Sequence, residues 1–140
     1  MTVVPFKAAH FWSINVQPAQ EYVRGRVTEH QIKQLESLNS FSCVDGDKVL
    51  CCFGWLEIYP TRATVWAYLD KDAGPHMVAM TRVAKRLLDG LVYRRIEIEV
   101  DCEFEAGHRW ARMLGFRLEA ERLRGLRMDG GDSAIYARIM

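Results

Sequence analysis

The chain has 140 residues, 49% of them hydrophobic and 26% charged, with a formal net charge of +1. That balance excludes nucleic-acid or membrane binding through bulk charge, and no apolar run nears the ~18 residues of a membrane span. The length suits a single domain over residues 1–140 that buries its core without staples.

The N-terminus, "MTVVPFKAAHFW", has no basic head followed by a long apolar stretch, so no signal peptide is expected. Thr2 to Phe6 reads as a first strand. A helical region follows from Ala8 to about Val23, interrupted at Pro18. "TEHQIKQLESL" then opens with Thr28 three residues before Gln31, a capping-box pattern, and Ile32, Leu35 and Leu38 fall at helical spacing.

Three strands come next. "FSCVD" turns at Asp45-Gly46, which supplies the positive φ of a tight hairpin, into the long apolar strand Val49 to Tyr59. Gly54 in its middle predicts a bulge or a close backbone approach. "PTR" then leads into Ala63 to Asp70. Trp55 and Trp66 on these neighbouring strands are expected to form a cross-strand pair. Cys43, Cys51, Cys52 and Cys102 form no CxxC motif and read as reduced thiols, and His10, His30, His76 and His108 are scattered rather than spaced as metal ligands.

After the turn "KDAGPH", Met77, Met80, Val83, Ala84, Leu87, Leu88 and Leu91 make one helical stripe, opposite Arg82, Lys85 and Arg86. "RRIEIEVDC" alternates, with Ile96, Ile98, Val100 and Cys102 on one side and Glu97, Glu99 and Asp101 on the other. A second helix runs from about Glu105 to Leu114 and stops at Gly115. "RLEAERLRGLRM" and "SAIYARIM" close the chain as an antiparallel pair, with the basic run Arg122 to Arg127 on a solvated face. The order β-α-α-β-β-β-α-β-α-β-β demands one parallel crossover, so the class is mixed α/β (α+β) with a mostly antiparallel sheet.

This order, with "HRWARMLGF" (His108 to Phe116) closing the second helix in Leu114-Gly115-Phe116, resembles the GNAT acetyltransferase fold over nearly the whole chain. The Arg109-Trp110-Ala111-Arg112 run is similar to that of GNAT-like proteins of tailed bacteriophages. The first resemblance implies a splay between strands 4 and 5 that takes the pantetheine arm of acetyl-CoA. It also implies a pyrophosphate on backbone amides of the turn Lys71 to His76, where a helix N-terminus presents free N–H groups.

Aligned with the family pattern, Lys71 and Gly74 fit, Pro75 removes a donor, and His76 adds bulk beside Asp72. The implied cofactor contacts are Tyr68, Leu69, Lys71, Gly74, His76 and Met77. The family's acid Tyr falls at Ala111 and its helix-opening Asn at Phe104, so Glu57, Asp70 and Tyr68 stand as substitute catalytic groups. The resemblance thus implies an N-acyltransferase acting on an amine of a small molecule or protein in the cytoplasm. The alternative it implies is a catalytically silent virion or assembly component that partners phage structural proteins.

Overall fold

The computed structural model describes residues 1–140. Its strands are β1 (Thr2–Pro5), β2 (Asn39–Asp45), β3 (Lys48–Tyr59), β4 (Arg62–Leu69), β5 (Arg95–Asp101), β6 (Arg117–Leu123) and β7 (Ser133–Ile139). Its helices are α1 (Ala8–Ser13), α2 (Glu29–Gln34), α3 (Met77–Gly90) and α4 (Glu105–Met113). The seven strands form one sheet in the order β1-β2-β3-β4-β5-β7-β6. Pairing is antiparallel for β1 with β2, β2 with β3, β5 with β7 and β6 with β7, and parallel for β4 with β5. This is the mixed, mostly antiparallel α/β class that the element order demands. No helix is long and apolar enough to cross a membrane.

Contacts divide the chain into two compact units. One holds Met1–Leu56 with Trp66–Met80, the other Glu57–Val65 with Thr81–Met140.

In the first unit, Phe6, Phe11, Ile14, Val16, Val23, Ile32 and Cys52 form the core, with Trp66 and Tyr68 packed against it. The capping box at Thr28 forms in both directions, Gln31 N donating to Thr28 Oγ1 (3.1 Å) and Thr28 N to Gln31 Oε1 (2.9 Å). Gly46 takes its positive φ of 59° at the hairpin. Gly54 is a close-approach glycine: a Cβ there would lie 2.3 Å from Asn39 O and 3.0 Å from Trp66 Cζ2.

Two expectations are corrected here. The helical region Ala8 to Val23 breaks at Ser13, because Ile14 is extended and Val16 bridges to Asp70; Pro18 then opens a 3-10 helix, Pro18–Val23, from the N1 position that suits it. Trp55 and Trp66 do not pair. Trp66 lies over Gly54 and meets Phe6 at 5.8 Å, whereas Trp55, one residue on and so on the other face, stacks on Phe41 at 5.8 Å.

In the second unit, Leu88, Ile96, Val100, Ala111, Leu114, Phe116, Ala134 and Tyr136 make the core. Gly115, at φ 88°, ends α4 and delivers Phe116 to that core. His108 pins α4 to β7. Its Nε2 lies 3.0 Å from Cys102 O, which can only accept, so Nε2 carries the proton and Nδ1 receives the Tyr136 hydroxyl at 2.6 Å.

β6 stops at Leu123 rather than running to Met128. Asp132 draws Gly125 N (3.0 Å) and Arg122 Nη1 (2.6 Å) into a turn. The basic run is thereby spent in part on ion pairs, Arg122 with Asp132 and Glu103, and Arg127 with Asp101 and Asp129. The four thiols are free, and burial pushes that of Cys52 up to about 12.

Candidate functional site

Successive residues of a strand turn their N–H and C=O groups to opposite edges, so one bond fixes the rest. Asp70 N donates to Leu50 O at 2.9 Å, which points Asp70 at β3. Leu69 and Ala67 therefore face away from β3. The β4–β5 ladder covers Arg62 to Val65 against Arg95 to Ile98. Beyond Val65, the partners on that edge of β4 come from the first unit's own N-terminal segment.

Gln20 Nε2 donates to Ala67 O at 2.8 Å, and Leu69 N donates to Gln20 Oε1 at 3.1 Å. One side-chain amide thus does what the peptides of a neighbouring strand would do. Gln17 N then donates to Leu69 O (3.1 Å) and Lys71 N to Asn15 O (2.7 Å).

The turn after β4 is largely self-satisfied. Asp72 N donates to Asp70 Oδ2 (2.9 Å), Ala73 N to Asp70 O (3.0 Å) and His76 N to Ala73 O (2.9 Å). The Met77 amide, expected to face a phosphate, donates to Gly74 O. Gly74 N makes no bond, and a Cβ on Gly74 would meet nothing within 4 Å, so the position is open to an incoming group. Lys71 is exposed and has no ionic partner. His76 turns aside, its Nε2 lying 3.7 Å from Asp45 Oδ2.

Asp70 is 1% exposed. Burial pulls its pKa up, but the amides of Asp72 and Asn15 and the Lys48 ammonium outweigh it and hold the carboxyl below the ordinary range. Both oxygens are occupied: Oδ1 by Asn15 N at 2.8 Å, Oδ2 by Asp72 N and by Lys48 Nζ at 3.3 Å. Tyr68 packs its ring edge-on to Phe11 at 5.2 Å. Tyr68, Leu69, Asp70, Lys71, Gly74, His76 and Met77 all belong to the first unit, and Glu57 to the second. There Glu57 is exposed and accepts from Tyr93 Oη at 3.0 Å. Ala111, where the resemblance read from the sequence would place an acid Tyr, is buried in the second unit's core.

One acid of β5 is not among the candidates that the sequence offers. The alternation of β5 puts Glu97, Glu99 and Asp101 on one side. Glu97 is consumed by Arg62 and Arg95, and Asp101 by Arg127 at 2.6 Å. Glu99 is left with its pKa raised, chiefly by desolvation of its carboxyl, which the Ser133 hydroxyl and Arg127 only partly oppose. The alternation marked the three acids as a group, but their partners are distant in sequence, so nothing local singled out Glu99.

No family model matches the sequence, and no curated protein matches it significantly. Solved structures do match. Ard1 from Thermoplasma volcanium superposes with a TM-score of 0.80 at 17% identity, over 99% of this chain and 97% of that one. A GNAT-family acetyltransferase from Bacillus anthracis gives 0.72 at 12% identity, over 98% and 93%. A ribosomal-protein-alanine N-acetyltransferase from Brucella melitensis gives 0.73 at 11% identity, over 100% of both. At these identities the likeness speaks to architecture: the chain folds, end to end, as GNAT acetyltransferases do.

Proposed function

We propose that this protein is an acyl-CoA-dependent N-acyltransferase, with acetyl-CoA as donor and an amine of a small molecule or protein as acceptor. The observation that carries the reading is the β4 edge. Ala67 O and Leu69 N face away from β3 and are held by an amide that is not part of a strand. A pantetheine arm is an extended chain with secondary amides, and this edge already reads an amide. Gly74 N, its open surroundings and the Lys71 ammonium suit the diphosphate, although the turn offers fewer free amides than a helix N-terminus can.

Bound acetyl-CoA would supply a thioester carbonyl for the amine to attack, the C–S bond breaking as the N–C bond forms. The protein must hold the amine neutral. Asp70 is poorly suited to that task, since its oxygens are filled and its affinity for a proton is lowered. Among the acids expected from the sequence, Glu57 is exposed and accepts from Tyr93 Oη, which leaves it chemically able to take a proton. A thiol has an ordinary pKa of about 8.5, so its thiolate can depart near neutrality without the acid that Ala111 cannot provide.

The test is thermal unfolding with acetyl-CoA, followed by release of free thiol in the presence of a panel of amines. Donor at ~100 times its dissociation constant should stabilise the fold by about 2.7 kcal/mol. Gly74→Glu should cancel the shift without unfolding the chain, because its side chain enters open space. A second reading, a silent GNAT-fold scaffold such as a phage virion component, is favoured by the buried Ala111 and the self-bonded turn. It predicts no shift at millimolar donor, the result that would overturn the enzyme.

A further inference from the structure

We infer that Gln20 is a displaceable plug: its side-chain amide closes the β4 edge in the free protein and is exchanged for the successive amide groups of the incoming donor, so that Gln20 sets donor affinity. The inference rests on the acyl-CoA reading above and adds a residue that no resemblance implies.

Three features of the first unit carry it. The first is the two-point contact, Nε2 to Ala67 O at 2.8 Å and Oε1 from Leu69 N at 3.1 Å. A strand edge with an empty carbonyl and amide invites pairing with foreign chains, and a primary amide is the side chain that satisfies both at once. The second is that the exchange leaves nothing unpaired: a trans amide points its own N–H and C=O apart, but the N–H of one secondary amide and the C=O of the next along an extended arm replace the two groups that Gln20 withdraws.

The third is mechanical. The backbone bonds Gln17 N to Leu69 O and Lys71 N to Asn15 O tie the segment to the end of β4, upstream of Gln20. Gln20 itself stands half-buried on the short Pro18–Val23 3-10 helix. Rotation of one long side chain clears Ala67 O and Leu69 N while those backbone ties persist. The plug is therefore local, and its release does not require the unit to open.

A plug held by two neutral hydrogen bonds, less the rotamer freedom that it gives up, weakens a competing ligand by about tenfold. The experiment is isothermal titration of the intact wild-type chain and of Gln20→Ala with coenzyme A, and with 3′-phospho-ADP, which lacks the pantetheine arm. Coenzyme A should bind Gln20→Ala about tenfold more tightly than wild type, while 3′-phospho-ADP gains nothing.

Equal or weaker coenzyme A binding by the variant, with wild type binding, overturns the plug and leaves the transferase reading standing. An equal gain for 3′-phospho-ADP also overturns it, because the effect then lies away from the edge. Binding by neither protein overturns the transferase reading and the plug together. A second measurement needs no substitution: saturating coenzyme A should move the Gln20 side-chain NH2 resonances of the wild type to solvent-exposed positions. Resonances that stay put under saturation refute the exchange.

Discussion

Replacing Asp70 by Asn asks whether this carboxylate is an anchor or a base. In the wild type it receives Asn15 N (2.8 Å) and Asp72 N (2.9 Å) and lies 3.3 Å from Lys48 Nζ, all while 1% exposed. In Asp70→Asn one oxygen remains to accept, and an NH2 group confronts the other donors. A hydrogen bond to a charged group contributes about 1.5–3 kcal/mol, and a buried donor left unpaired costs about 1–3 kcal/mol. The Lys48 pair adds little, because that ammonium is 44% exposed and keeps Asp72 at 3.6 Å. The loss should be about 2–4 kcal/mol, a large share of the ~5–15 kcal/mol of a typical domain.

Urea unfolding at pH 7 reads this as a lower midpoint at unchanged slope. Because the folded pKa of Asp70 is depressed, its contribution is complete above the unfolded value of about 3.9 and is lost as pH falls through the folded value. The gap between wild type and variant should therefore be constant from pH 7 to about 5 and close in stronger acid. Equal midpoints at pH 7 with loss of acyl transfer would refute the anchor and make Asp70 the base.

Two further outcomes concern single charged groups. Glu99→Gln removes a carboxyl that desolvation makes costly to ionise. Since the Glu99 pKa is raised, its contribution to stability falls as pH rises through the folded value, so this variant should melt no lower than wild type at pH 7. Arg24 has Nε and Nη2 buried without partners and a long 3.5 Å bond from Nη1 to Trp12 O. Arg24→Met keeps the stem and removes the buried guanidinium, which should stabilise the fold by about 1 kcal/mol, or raise the melting temperature by about 3–5 °C. A lower melting temperature would mean that the guanidinium is satisfied.

What the sequence disclosed was local. The Thr28–Gln31 capping box, the Asp45-Gly46 hairpin and the Gly115 helix stop each rest on neighbours within a few positions, and each forms as read. The parallel crossover was legible because the element order allows little else. The break after Ser13 was not, since it depends on Val16 reaching Asp70, 54 positions on by subtraction of their numbers. Gln20 was invisible for the same reason: its partners Ala67 and Leu69 lie across the fold, and a glutamine in a polar stretch carries no pattern. Trp55 and Trp66 misled because strand neighbours suggest a pair, whereas Gly54 decides which face holds the room for an indole.

The donor should lie along the β4 edge that faces away from β3 and over the turn at Gly74. Backbone amide resonances followed through a titration of the wild-type chain with coenzyme A locate it residue by residue. The Leu69 and Gly74 amides should shift earliest and furthest, with those of β1 unmoved. Resonances of Leu69 and Gly74 that hold still at millimolar coenzyme A would contradict it.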